Sequence, residues 1–244
     1  PSRLLDTLMF FPVILNTAVF PVLSRLVHTS ADSVHKTSRR ILDLTVIVAV
    51  PLVVGMAALA RPIISVFGPL TEFGNSVILL QILSISVVLV YVDFVFSTVM
   101  VSHDKQKQAV VISVLATIVS LTVNYFAIRY FQEHHGNGAI GAAVTTGITE
   151  LFVMSMSLLL LPKGCFGMEN VINAGKAIFG GCVMWVTVWF VETHFHNWVV
   201  AGIAGSVVYV LLIVAMGVVR RREVELLLHQ LPLPRKLAAF GSNR

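Results

Sequence analysis

Seven apolar stretches, at 5–25, 41–66, 76–101, 109–131, 138–161, 171–191 and 198–219, follow one another with short polar connections between them. Each is near or above the roughly 20 residues an α-helix needs to cross about 30 Å of hydrocarbon. No backbone N–H or C=O can go unpaired in lipid, which leaves helices and closed barrels as spanning structures. These runs are too long, and too poor in period-2 alternation, to be barrel strands. The pattern predicts an all-α integral membrane protein with seven transmembrane helices.

The polar positions inside the stretches fall into lines. Asp93 is the only formal charge of the third stretch, with Ser86 seven residues before it and Ser97 four after, so all three share one helical face. Ser113, Thr117, Ser120 and Asn124 recur at intervals of four, three and four along the fourth stretch, and Thr146, Thr149 and Glu150 mark the fifth. Asn16 lies near mid-depth of the first, one turn from Pro12. A charge deep in a bilayer costs roughly 2.5–3.5 kcal/mol on insertion scales, so Asp93 and Glu150 should face protein or water. Four successive helices with polar faces suggest a shared wet interior. The same stripe also suits packing, because Ser and Thr bond back to their own helix and Asn or Glu joins helices at about 0.6–2 kcal/mol per contact. Pro12, Pro21 and Pro51 are kinks or flexing points.

Charge gives the orientation. With the first stretch running outside to inside, Arg25, Lys36, Arg39, Arg40, Lys105, Lys107, Lys163 and Lys176 fall on the inner side, joined by six more basic residues from Arg220 to Arg244. Only Arg3, Arg61 and Arg129 fall outside, which accounts for all 17 Lys and Arg. The positive-inside rule then places the N-terminus outside and the C-terminus in the cytoplasm of a cell (inner) membrane, multi-pass. Hydrophobic residues at 57%, charged residues at 12% and a mean hydropathy of +0.89 agree with a lipid environment. The pI near 9.5 is thereby explained by membrane topology, and no nucleic-acid partner is needed. The chain opens without Met inside an apolar run, and an odd number of spans with an outside start is expected of the remainder of something longer.

Soluble-type chemistry has no visible home. Cys165 falls in an inner connection and Cys182 within the sixth stretch, which argues against a disulfide, and no metal or cofactor motif is present. Glu192, His194 and His196 are close in sequence but too few for a tetrahedral site, so neither metal nor cofactor is expected and the chain is read as a non-enzyme. The last two stretches carry small residues four apart, Ala177/Gly181, Ala201/Gly205 and Gly202/Ser206, the spacing of close helix contact. Largely apolar apart from Thr187 and Tyr209, they read as an accessory pair at the rim. Val224, Leu227, Leu228 and Leu231 behind Arg220–Arg222 predict a short interfacial helix. The domain reading is 1–162 for five lobe helices, 163–219 for the accessory pair and 220–244 for a cytoplasmic amphipathic tail.

The run Val123-Asn124-Tyr125, then Gly136-Asn137-Gly138-Ala139-Ile140-Gly141-Ala142-Ala143, Thr145-Thr146 and Glu150 resembles a recurrent segment of polysaccharide-biosynthesis flippases. Phe20-Pro21-Val22-Leu23-Ser24-Arg25, Arg61 to Gly68 and Asp104-Lys105-Gln106-Lys107 are similar to the same family, a branch of the multidrug/oligosaccharidyl-lipid/polysaccharide exporter superfamily. The resemblance covers most of 5–161. It implies the C-terminal lobe of a two-lobe, fourteen-helix fold, with the first lobe absent, and a parent that flips a polyprenyl-pyrophosphate-linked oligosaccharide to the outer leaflet for surface polysaccharide assembly. On that reading Asn16, Asp93, Ser97, Asn124 and Glu150 line the cavity, and Arg61 and Arg129 hold an anionic pyrophosphate or anchor at the interface. Arg25 stands at the inner mouth, and Asp93 or Glu150 couples a proton or sodium ion. One departure stands out: Arg129 to His135 occupies a turn where the family often has Pro, which leaves that connection's conformation open.

Alternatives remain within and beyond the class. A multidrug or lipid II exporter of the same superfamily remains open as an alternative, since cargo depends partly on the other lobe. A seven-helix receptor has the same span count, but Val101-Ser102-His103-Asp104 stands where a DRY-like sequence would be. A membrane polysaccharide polymerase or ligase wants a large outer loop rich in titratable groups, and the outer connections here are short.

Overall fold

Apolar runs closed by glycine, proline or asparagine fold here as continuous helices. The computed structural model describes residues 13, 17, 19–27 and 31–218. Its elements are α1 (19–27), α2 (Ala31–Ala58), α3 (Ala60–Phe67), α4 (Leu70–Ser102), α5 (Gln106–His135), α6 (Gly138–Leu160), α7 (Met168–Phe195) and α8 (Trp198–Ala215). Among the described residues there is no strand, and α2 and α4–α8 are each long and apolar enough to span a membrane. The fold is all-α and integral to the membrane. The first expected span, 5–25, lies mostly outside the described residues, as do Asn16 and the whole 220–244 tail with its expected interfacial helix.

One predicted boundary needs correction. The 41–66 stretch is not a single helix, because α2 starts upstream at Ala31 and the chain breaks at Leu59 (φ −95°, ψ 17°) before α3. Pro62 explains the break. In a continuous helix it would strip the Ala58 carbonyl of its donor and crowd that turn. In the first turn of α3 its missing N–H leaves nothing unpaired. The upstream extension is amphipathic and lies beyond the apolar run, carrying an exposed Lys36–Asp32 pair at 2.6 Å.

The connection that lacks the family's proline is a capped turn. Helix α5 runs on to His135 and stops at Gly136, whose φ of +65° suits glycine. The Gly138 N–H donates to Gln132 Oε1 at 2.9 Å, and the Ala139 N–H to Asn137 Oδ1 at 3.1 Å.

The helices pack in the row α5–α6–α4–α2–α7–α8, which is not their chain order. Close approach sets two of these interfaces. A Cβ on Gly141 would lie 2.5 Å from the Ala127 carbonyl oxygen, so glycine lets α6 seat directly on the α5 backbone. A Cβ on Gly205 would lie 2.5 Å from a Val188 methyl, and Gly181 leaves room for Val50 of α2. Ser206, by contrast, is exposed and donates to its own helix at Gly202.

The α2–α7–α8 side is joined by buried and half-buried polar contacts. Buried Asp43 accepts from Asn170 Nδ2 and Asn173 Nδ2, both at 2.7 Å. Pro51 leaves the Ile47 carbonyl without its helical donor, and the Tyr209 hydroxyl of α8 donates to it at 2.9 Å. At the basic end, cations close helix C-termini and loops: Lys105 on Leu160 O, Arg39 on Gly164 O, Lys176 on Met216 O and Arg40 on Val218 O. The remaining faces of α5, α7 and α8 expose large apolar side chains such as Leu121, Phe126, Trp189, Ile203 and Leu211, as lipid contact requires.

Candidate functional site: a cleft between α4, α5 and α6

Helices α4 and α5 are joined by a short turn, Ser102 to Gln106, yet touch each other little; both lie instead against α6. The wedge between them is a cleft whose deepest part has a volume of about 310 Å³. Asp93 and Ser97 enter it from α4, Ser113 from α5, and Glu150 and Ser157 from α6. Two recesses continue it. One of about 430 Å³ runs along α5 past Ser113 and Thr117, and one of about 380 Å³ lies between Thr17, Phe20, Ser97 and Thr98. Shared linings at Ser97 and Ser113 make the three one groove.

The chemistry of the floor is unusual for a membrane bundle. The Asp93 and Glu150 carboxyls face one space from α4 and α6. Both Asp93 oxygens are buried, and no donor reaches them. Ser157 is only 5% exposed and lines the same space. No Lys, Arg or His lines this central space, so the pair has no countercharge there. Ser113 and Thr117 donate to their own helix at Ala109 O and Ser113 O, which leaves their oxygens free to accept.

The structure gathers some of the expected residues and separates others. Asp93, Ser97 and Glu150 meet in the cleft. Ser86, expected beside them, packs toward α6 at Gly147 instead. Asn124 is apart: it lies in a surface groove of α5 with Tyr125 and Arg129, its amide near Ser120 Oγ at 3.4 Å and its Oδ1 buried without a partner. The fourth-helix stripe is thus split, its lower half in the cleft and its upper half on the flank of α5. Arg129 Nε donates to Glu133 Oε1 at 2.8 Å on an exposed face. Arg61 is exposed at the start of α3, which packs on α2 and α4 and not on α5, so the two arginines do not form one site. Arg25 is exposed at the basic end of α1. Among the described residues no group of three or more His, Cys, Asp or Glu gathers as for a metal. His194 stacks on Phe190 and bonds its carbonyl. Cys165 and Cys182 are both free, and burial pushes the Cys165 thiol up.

Two features escaped the sequence reading. Ser157 sits seven residues after Glu150, hence on its face, and that spacing was available. Asp43 is a buried charge near the basic end of α2, and Asn170 and Asn173, three apart on α7, are its partners. Nothing in the sequence links Asp43 to that pair.

Residues 6–209 match the family model described as "Lipid II flippase MurJ". No curated protein and no solved structure matches the chain.

Proposed function

Because the chain belongs to the lipid II flippase MurJ family, we propose that it acts in carrying lipid II, a polyprenyl-diphosphate-linked glycan precursor, from the inner to the outer leaflet by alternating access. The coarser statement follows from the family and the spans: this is a multi-pass membrane flippase of the exporter superfamily. The family match is also what supports the cargo in this proposal. It favours lipid II, held above as an alternative, over the surface-polysaccharide oligosaccharide, and it spans every residue of the cleft.

The physics of the reading is simple. A sugar-diphosphate head cannot cross hydrocarbon unaided, while its prenyl tail can stay there, so a polar surface that faces each side in turn suffices. In this proposal the α4–α5–α6 cleft is such a surface, its partners being membrane lipid, the lipid-linked substrate and an opposing lobe. Arg25 meets the head group at the inner mouth. Arg61 and Arg129 act separately near the outer face, which agrees with their separation in the bundle. The orientation is the one the basic residues indicate, with the C-terminus cytoplasmic.

The test is depletion of the gene product in its own cells. Lipid II should accumulate and stay inaccessible to a membrane-impermeant enzyme added outside. Normal outer-leaflet exposure of lipid II overturns the reading. Accumulation of a different polyprenyl-linked saccharide would return the cargo to the oligosaccharide alternative.

A further inference from the structure

Helix α2 is held in two different ways along its length. Charged groups fasten its first half to α7 and the nearby loops. Asp43 accepts from Asn170 and Asn173, Asn170 Nδ2 also reaches Arg39 O at 2.8 Å, and Arg39 and Arg40 donate to Gly164 O and Val218 O. Beyond residue 47 the helix is interrupted twice, at Pro51 and at Leu59, where the backbone turns before Pro62 and α3. Lighter, neutral contacts meet this second half at its bends. The Tyr209 hydroxyl donates to Ile47 O at 2.9 Å, and the Gln81 side-chain amide of α4 donates to Ala57 O at 3.2 Å. Leu59 rests on Gly202 of α8, where a Cβ would lie 3.1 Å from its methyl.

A movement of this segment would not stay local. Ala60 and Ile64 of α3 share one buried cluster with Val77 and Leu80 of α4, bordered by Met56 and Ile63. A shift of residues 51–67 therefore carries the first turns of α4. Asp93 and Ser97 of the cleft lie farther along that same helix. Hinges need only a few residues at the end of an element to take up a dihedral change, and Leu59 stands at such an end.

We infer that residues 51–67 form an arm that tilts, together with the start of α4, as the protein alternates between its two access states, and that Tyr209, Gln81 and Gly202 are positioning residues holding it in the bend seen here. The accessory pair then has two tasks. Near the basic end α7 clamps the stem of α2, and farther along α8 sets the angle of the arm. The inference rests on the alternating-access reading, but the tilt is measured without any lipid substrate.

The experiment uses the complete protein in lipid nanodiscs, with exposed cysteines such as Cys182 replaced by Ala and buried Cys165 kept. One pair of spin labels sits on cysteines placed at exposed Ser65 of α3 and Thr193 of α7. A control pair on the stem uses Lys36 of α2 and Glu169 of α7, also exposed. Electron–electron double resonance should give two distances for Ser65–Thr193 and one for Lys36–Glu169. Tyr209→Phe and Gln81→Met should each change the ratio of the two arm distances roughly fivefold, the worth of one hydrogen bond, with the stem pair unmoved. Pro62→Ala lets α2 and α3 join as one helix. It should leave a single arm distance and slow flipping in proteoliposomes by about tenfold, while the melting temperature is kept or raised, a combination that lost packing does not give. A single narrow arm distance in the wild type, equal changes in both pairs, or undiminished flipping by Pro62→Ala overturns the inference. A rigid arm with lipid II still accumulating on depletion removes the hinge and leaves the flippase. A moving arm in a protein whose depletion leaves lipid II exposed outside keeps the hinge and removes the cargo.

Discussion

Asp43 and Asp93 are two aspartates with buried carboxyls in one bundle, treated in opposite ways. Asp43 receives two amide donors from α7 and is closed off between helices. Asp93 shares its cleft with another acid, Glu150, and receives no donor. The first arrangement is what a membrane bundle does when a polar side chain serves as glue, since each carboxylate oxygen has a donor. The second leaves the cost of burial unanswered, which a fold retains where something else is to bind. The difference divides the molecule into a latched half, α2–α7–α8, and a half with open chemistry, α4–α5–α6.

The largest effect separates the two halves by function. Asp93→Asn or Glu150→Gln in the complete protein should slow flipping by about tenfold or more, roughly 1.4 kcal/mol on the transport barrier, while folding is kept or improved because a buried charge is removed. Flipping rates in proteoliposomes, read beside melting curves, check both signs. Undiminished flipping by both variants would break the contrast at its functional end.

Asp43→Ala should do the reverse. It takes the acceptor from the half-buried Asn173 amide, leaves Asn170 Nδ2 only its bond to Arg39 O, and removes hydrogen bonds to a charged acceptor, a loss of about 1–3 kcal/mol in stability. Flipping per folded molecule should be near normal. Equilibrium unfolding in mixed detergent measures the first, and activity normalised to folded protein the second.

The two halves were also unequally legible in the sequence. Spans and turns were readable because lipid imposes a length and a hydropathy on every crossing helix. Asp93, Ser97 and Glu150 were readable for a related reason: an ionisable group inside an apolar run stands out by itself. The partners of Asp43 were hidden, because hydrogen bonding between α2 and α7 joins residues 127 and 130 positions apart. The division of the α5 stripe was hidden too. Its spacing puts Ser113 and Asn124 on one face, but only the splay of α4 from α5 decides which part of that face meets the cleft. The break at Leu59 lay inside a long apolar stretch, although Arg61 and Pro62 were there to signal it.

Gly205→Val tests how tightly the latched half is drawn. The new side chain would meet Val188 at 2.5 Å and Met184 at 3.3 Å, forcing α7 and α8 apart. Overpacking of this kind costs about 1–3 kcal/mol. The same substitution at Gly175, where no atom lies within 4 Å of the added Cβ, should be neutral or slightly stabilising, because valine is a better helix former than glycine. Comparison of their melting temperatures isolates the steric part.

The smallest effect is the most specific to the latch. Tyr209 donates to Ile47 O only because Pro51 has no N–H to give that carbonyl. Tyr209→Phe should therefore cost about 1 kcal/mol in the native background, the usual worth of a hydrogen bond between membrane helices. With Pro51→Ala, the backbone N–H of residue 51 can fill the place, and the second substitution, Tyr209→Phe, should then cost close to nothing. A double-mutant cycle on unfolding free energy reads the coupling directly. Equal costs in both backgrounds would mean that α8 holds α2 by apolar packing around the ring, and that the hydroxyl and the proline bend are independent.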